Sequence, residues 1–393
     1  MNGSLYLAWR YLVYHRLKTA VLLVSITVIL FVPVGLRVLV DQSSQQLTRR
    51  AIATPLVIGA RGSALELVLN TLYFGTDDPD PVPYAEAIRI DTSGLALAIP
   101  MHTRFSSQDH AIVGTSLEYF TFRGLQIVDG RPLATLGECV VGARAAQSMG
   151  VAVGDFVISS PESVFDIAGV YPLRMKVVGV LAFADSPDDD AVFVDLKTSW
   201  IIQGLGHGHQ DLARPEASAG VLRRDSTGIT ANASVEQYNE ITADNLESFH
   251  FHGDLGGNPV SAVIAVPLDQ RSSALLQGRY QADDERMQIV RPSTVMDQLL
   301  GTILTVQQFV TAGAALLGLA TVATAGLVFW LSLRLRRREM MTVFKIGAAR
   351  HTIGTLMASE VVGVLVLGLV LAGVLTVVTS RFAGVVARYL VRM

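Results

Sequence analysis

Three long apolar runs without charge, residues 19–36, 309–333 and 361–380, bracket a stretch of polar and mixed composition from about residue 41 to 298. Each run is long enough to cross a hydrocarbon core of about 30 Å as a helix. The pattern predicts a membrane protein with three crossings and one large external domain. Between the runs, strand and helix periodicities alternate. Residues 55–60 read as a short apolar strand stopped near Gly62, and 63–74 place Leu65, Leu69 and Leu72 at helical spacing. Residues 77–83 hold three prolines, which remove donors and restrict their neighbours, so they read as an exposed loop. Strand signals return at 95–100 and 110–113, and 116–123 read as a short helix capped by Ser116.

Short strands at 138–141, 157–159, 175–181 and 191–194, separated by Gly, Pro and Asp, suggest a small strand-rich lobe. From 203 to 257 no period is sustained and the segment reads as irregular or inserted. Order resumes with a strand at 260–266, a helix at 268–280 and a strand at 287–290, a βαβ-like unit. Ser293 then reads as the N-cap of a helix running straight into the second crossing, which would carry movement of the outer domain into the membrane.

Charge orients these crossings. Arg10, Arg16 and Lys18 precede the first run with no acid among them, and Arg334, Arg336, Arg337, Arg338, Lys345 and Arg350 follow the second against a single Glu339. The positive-inside rule puts both segments in the cytoplasm and the domain outside. Residues 5–17, with Trp9, Tyr11 and Tyr14 among basic residues, suit a helix lying at the cytoplasmic interface. The first run exceeds the apolar core of a secretory signal and continues into Arg37, Val38, Leu39 and Val40, so it reads as a retained anchor. Arg381, Arg388 and Arg392 fall outside after three crossings, against the rule. Their spacing sets them on one helical face opposite Phe382, Val386 and Leu390, as in an interfacial helix; a missing further crossing is the alternative.

Composition narrows the chemistry. Half of the residues are apolar and 17% are charged, and a formal net charge of -3 supplies no bulk field for a nucleic-acid partner. Cys139 is the only cysteine, so the outer domain has no internal disulfide and is held by its core. Gly59-Ala60-Arg61-Gly62-Ser63 contains glycine but lacks the lysine that would meet phosphates, so it is not a phosphate loop. Ser, His and Asp are present without a nucleophile motif. Asp188, Asp189 and Asp190 read as a solvated turn before a strand, with a hard-cation site as the sharper reading. Four of the eight histidines fall in the irregular segment, as His207-Gly208-His209 and His250-Phe251-His252 with Asp254 nearby. Imidazoles at this spacing ligate Zn, Cu or Ni, although a His-x-His pair is also common in solvated loops.

The stretches LAWRYLVYHRLKTAVLLVSITVIL, AIVGTSLEYFTFRGLQIVDGRPLATLGECVVGARAAQSMGVAVGDFV with MKVVGVLAFADSPDDDAVFVDL, and RLRRREMMTVFKIGAARHTIGTLMASE, in this order, resemble an FtsX/MacB-type ABC transporter permease. The resemblance implies an α+β membrane protein of the type VII class. Its extracytoplasmic domain would have a porter-like lobe, residues 50–135 and 258–297, interrupted by a β-rich lobe, 136–200. Around it would lie an interfacial helix 1–18, a first crossing 19–40, a helix 298–333, a coupling loop 334–355, a third crossing 356–380 and a tail 381–393. It further implies two permeases, alike or different, paired with a cytoplasmic ATPase dimer in a bacterial inner membrane, with the large domain in the periplasm. An adaptor or lipoprotein partner, lipid contacts and no directly bound cofactor go with this picture. In the family a cytoplasmic helix docks into a groove of the ATPase, and the matching residues are Arg338, Glu339, Val343, Phe344, Lys345 and Gly347. The expected function is to transmit ATP-driven motion to the outer domain for export or for handling of lipoproteins or periplasmic substrates; the alternative is mechanical signalling to an external partner such as a hydrolase. One departure stands out: permeases of this family usually carry a fourth crossing, and here only residues 381–393 follow the third run.

Overall fold

A computed structural model describes residues 3–75, 79–160, 172–209, 221–225, 228–231, 238–281, 286–335, 341–342, 345 and 350–392. The chain divides into two units, Met1–Leu47 with Gln298–Tyr389, and Thr48–Asp297 with Leu390–Met393.

The first unit is helical. α1 spans Gly3–Tyr14 and α2 Arg16–Ile52, the latter tolerating Pro33 inside it. The three candidate membrane spans are Thr19–Asp41, Pro292–Thr324 and Ala358–Phe382, each on the helix that carries one of the predicted apolar runs. Small residues let these helices approach closely, as apolar packing within lipid favours. A Cβ on Gly368 would meet Ile26 Cγ2 of α2 at 2.7 Å, and one on Gly318 would meet Ile29 Cγ2 at 3.2 Å.

The second unit is built on a sheet. In chain order its elements are β1 Leu56–Ala60, α3 Ala64–Tyr73, β2 Val82–Pro83, α4 Ala85–Thr92, β3 Ala96–Ser107, β4 His110–Thr115, α5 Glu118–Arg123, β5 Ile127–Gly130, β6 Glu138–Val141, α6 Ala143–Met149, β7 Phe156–Ile158 and β8 Arg174–Leu181. A 3-10 turn, Pro187–Asp190, leads to β9 Val192–Asp195 and α7 Leu196–Ile202. Then follow β10 Gly206–Gly208, β11 Val221–Asp225, β12 Gly228–Ala231, β13 Phe249–Phe251, β14 Pro259–Val260, β15 Ala262–Pro267, α8 Gln270–Arg279, β16 Met287–Val290 and two long helices, α9 Pro292–Leu335 and α10 Arg350–Arg392.

Ten strands form one sheet in the order β16-β1-β15-β3-β4-β9-β6-β8-β5, with β7 added on β8. The β4–β9 and β6–β8 pairs are parallel and the rest antiparallel. The sheet therefore runs without interruption from the strands of the porter-like region into those of 136–200. Two buried clusters flank it. One joins Leu56, Ile58, Ile90, Trp200, Val263 and Leu276, and the other Ile112, Cys139, Val141, Met175, Val177 and Val194. The predicted strand, helix and strand after residue 260 form a split unit, because β15 and β16 both pair antiparallel with β1, which lies between them.

Several local readings are corrected. Val82 and Pro83 do form a strand, paired with Val260 and Pro259, and Val82 is fully buried. A proline tolerates such an edge, where no ladder donor is asked of it. Ser116 does not cap α5: its hydroxyl lacks a hydrogen-bond partner, and Leu117 holds the cap position. Ser293 sits inside the first turn of α9, which starts at Pro292, a position where the missing N–H costs nothing. The stretch 203–257 is not wholly irregular, since β10 pairs with β13 and β11 with β12. The tail bearing Arg381, Arg388 and Arg392 continues α10 as one helix through Arg392.

Candidate functional site

Burying a guanidinium is costly unless its charge and donors are matched. Arg50, in the last turn of α2, is buried and meets that demand through its two terminal nitrogens, Nε alone having no hydrogen-bond partner. Its Nη1 donates to Asp188 Oδ2 at 2.6 Å and its Nη2 to Asp188 Oδ1 at 2.9 Å, a bidentate pair. Nη2 also donates to the Tyr119 hydroxyl at 2.8 Å, and that hydroxyl donates to Asp188 Oδ1 at 2.7 Å. The guanidinium lies 5.5 Å from the ring centroid of Phe74, and Phe193 packs against Phe74, Tyr119 and Phe120 to wall the pocket.

The local sequence builds the acceptor. Ser186 caps the 3-10 turn, accepting from Asp188 N at 3.3 Å, while Asp189 Oδ2 accepts from Ser186 N at 3.2 Å, a reciprocal capping box with Pro187 in the first turn. Asp189 also accepts from Ala184 N and pairs with Arg144, which donates to Asp190 Oδ2 at 3.0 Å. The three aspartates are thus neither a solvated turn nor a cation site: Asp188 and Asp189 are buried, and all three are engaged with arginines. Gly142 permits this, because a Cβ there would stand 2.2 Å from the Asp188 carbonyl oxygen.

Electrostatics follow. Burial alone would raise the Asp188 carboxyl, but the charge and hydrogen bonds of Arg50, aided by Tyr119, outweigh it and hold the group down at about 2. Burial likewise pushes the Tyr119 hydroxyl up to about 12, so it stays a donor at neutral pH. Burial lowers Arg123, and the neighbouring Arg50 lowers it further; its guanidinium lies over the rings of Tyr119 and Phe122. With its members enclosed and hydrogen-bonded to one another, this group has no exposed nucleophile. What it does have is direction: it ties the end of α2 to the turn that feeds β9, in the middle of the sheet.

A second cluster lies on the β10–β13 ribbon. The register places Gly206 opposite Phe251, His207 opposite His250 and Gly208 opposite Phe249. Strand alternation then sends His207, His209, His250 and His252 to one face and the phenylalanines to the other. Phe251 stacks edge-on with Trp200, anchoring that face in the core. On the histidine face, ligand atoms of His207, His209 and His250 lie within 4.8 Å of one another, and the His252 ring is 5.1 Å from His207 and 4.9 Å from His250. His207 is lowered, first by burial and then by His250, His252 and His209. Asp254 does not join them; it caps the next turn, accepting from Gly256 N at 3.1 Å.

Residues 20–238 match the model of the MacB-like periplasmic core domain. The chain belongs to this family. Among solved structures it is similar to the periplasmic region of MacB from Actinobacillus actinomycetemcomitans, at 10% identity over 65% of this chain and 98% of that one, with a TM-score of 0.35. It is also similar to the extracellular domain of the noncanonic ABC-type transporter YknZ from Gram-positive bacteria, at 12% identity over 60% and 98%, with a TM-score of 0.30. No curated protein matches. A MacB-like extracytoplasmic domain carried with apolar helices gives the chain a permease-type role and agrees with the FtsX/MacB resemblance of its sequence.

In this MacB-like chain the six predicted coupling residues are placed unequally. Lys345 is helical and exposed, whereas Arg338, Glu339, Val343, Phe344 and Gly347 lie outside the described residues. All four predicted histidines come together. The Arg50, Tyr119 and Asp188 group was not foreseen in the sequence. Its one local signal is Ser186-Pro187-Asp188-Asp189, a capping-box pattern that marks an ordered turn.

Proposed function

We propose that the chain is the permease subunit of a type VII ABC transporter and that it transmits motion from a separate cytoplasmic ATPase dimer to its MacB-like outer domain. The observation that carries this reading is α9. It is one helix of 44 residues, separated from the sheet strand β16 by Arg291 alone and running through the second candidate span to the basic segment at Arg334. At 1.5 Å per residue it is about 66 Å long, twice what a hydrocarbon core requires. Such an element moves as a rod. The buried Arg50–Asp188 pair gives α2 a second firm attachment to the same sheet.

In this reading Arg338, Glu339, Val343, Phe344, Lys345 and Gly347 meet the ATPase, and a second permease subunit completes the complex. The outer domain works on the periplasmic side of a bacterial inner membrane, exporting or handling lipoproteins or other periplasmic substrates, with an adaptor where one is used. ATP is bound and hydrolysed by the partner. The test is Phe344→Ala in the reconstituted complex. Losing a docked aromatic costs about 2 kcal/mol at an interface hot spot, so ATPase affinity falls by about tenfold or more and hydrolysis no longer drives the outer domain. Unchanged affinity with full coupled turnover would contradict the assignment.

A further inference from the structure

We propose that His207, His209, His250 and His252 form a binding site for a late first-row divalent metal ion of the class Zn²⁺, Cu²⁺ or Ni²⁺. The backbone arranges the site before any ligand arrives. His207 and His250 are direct partners across an antiparallel pair, and His209 and His252 follow each by two residues, so all four belong to one face of the ribbon. The opposite face is committed: a Cβ on Gly206 would stand 2.5 Å from Phe251, and one on Gly208 would stand 2.5 Å from Phe249. Glycine opposite phenylalanine on one side and histidine opposite histidine on the other leaves the ribbon one packing face and one chemical face.

The ring spacings fit a shared ion. Centroids are separated by 4.8 Å for His207 and His250, 5.3 Å for His209 and His250, and 5.8 Å for His207 and His209. Tetrahedral nitrogen ligands at 2.0–2.1 Å from zinc lie about 3.4 Å apart, so ring rotations of about 1–1.5 Å close a set that now lies within 4.8 Å. His250 Nδ1 is 2.9 Å from the Ser248 carbonyl oxygen. A carbonyl only accepts, so in the neutral ring Nδ1 carries the proton and Nε2 presents its lone pair, the outer-shell arrangement typical of metal-bound histidine. An all-imidazole set selects borderline metals over Ca²⁺ and Mg²⁺, which require oxygen ligands. His207, His209 and His250 are half-buried and His252 is exposed, which leaves an approach from solvent.

The position suggests what the ion does. His209 and His250 flank the segment 210–249, and a metal shared between them clamps its two ends together. Binding also belongs to the outer unit alone, so it holds or fails independently of the ATPase reading.

The test uses the full chain purified in detergent without a polyhistidine tag, stripped with chelator and titrated with Zn²⁺. One Zn²⁺ per chain is expected, with a higher melting temperature, competition by Ni²⁺ and Cu²⁺ and none by Ca²⁺. Co²⁺ in its place should give the intense visible bands of a tetrahedral nitrogen set. His207→Ala with His250→Ala should weaken Zn²⁺ binding at least a hundredfold, with the four histidines outside the cluster, His15, His102, His110 and His351, still present as an internal control. Equal uptake by wild type and double variant overturns the site. Should the double variant fail to fold, the wild type decides alone: no stoichiometric Zn²⁺ and no tetrahedral Co²⁺ spectrum overturn it equally.

Discussion

Arg50 concentrates much of the outer unit's electrostatics in one side chain. Its bidentate hold on Asp188 is shared with Tyr119 and closed off by Phe74 and Phe193, so removing it strands a buried carboxylate. Arg50→Ala is expected to destabilise the outer unit by about 3–5 kcal/mol, whereas Arg50→Met combined with Asp188→Leu should recover most of that loss, because neither half of the ion pair is then left buried without the other. Thermal melts of the two variants check this, and a single variant melting with the wild type would count against it. The sign of the pH dependence follows from the depressed carboxyl. Asp188 contributes stability that is full above its ordinary value of 3.8 and is lost as pH falls from there to about 2, and the doubly substituted protein should lack that acid limb. None of this was legible locally. Arg50 is 69 positions from Tyr119 and 138 from Asp188, and a run of three aspartates reads as solvent-facing until a distant arginine is known to meet it.

Elements governed by nearby residues were the legible ones. β6 at Glu138–Val141 and β16 at Met287–Val290 fall on the predicted bounds, and α3 starts where Ser63 accepts from Glu66 N and ends where Phe74 turns left-handed. Elements that depend on a distant partner were not: β2 needs β14 and β10 needs β13. The His-x-His pairs were visible in the sequence, but only the register shows that they share a face. The continuity of α9 was anticipated from a helix start near Ser293 that runs straight into the second apolar run, and it carries the proposed mechanism. Leu299→Pro, which removes a helical hydrogen bond and kinks the rod at a cost of about 3 kcal/mol, should leave hydrolysis by the partner ATPase intact while abolishing nucleotide-dependent changes in limited proteolysis of the outer domain. An undiminished nucleotide response in that variant would exclude α9 as the transmitting element.

At the scale of the molecule, the chain passes into and out of the outer unit at neighbouring points. Val57 and Val290 are register partners at one end of the β1–β16 pair, β1 follows α2 closely and β16 precedes α9. In the proposed mechanism α2 and α9 thus lead into adjacent strands of one sheet. The sequence makes a direct measurement convenient. Cys139 is fully buried, and burial, with Glu138 beside it, pushes its thiol up to about 12, so it stays unreactive towards spin labels. A label at exposed Asp109→Cys then reports one distance between the outer domains of two permeases in the complex with their ATPase. The account predicts that trapping ATP shifts this distance and that Phe344→Ala abolishes the shift; identical distances with and without ATP, in a complex that hydrolyses it, would contradict the claim that the outer domain is the driven part.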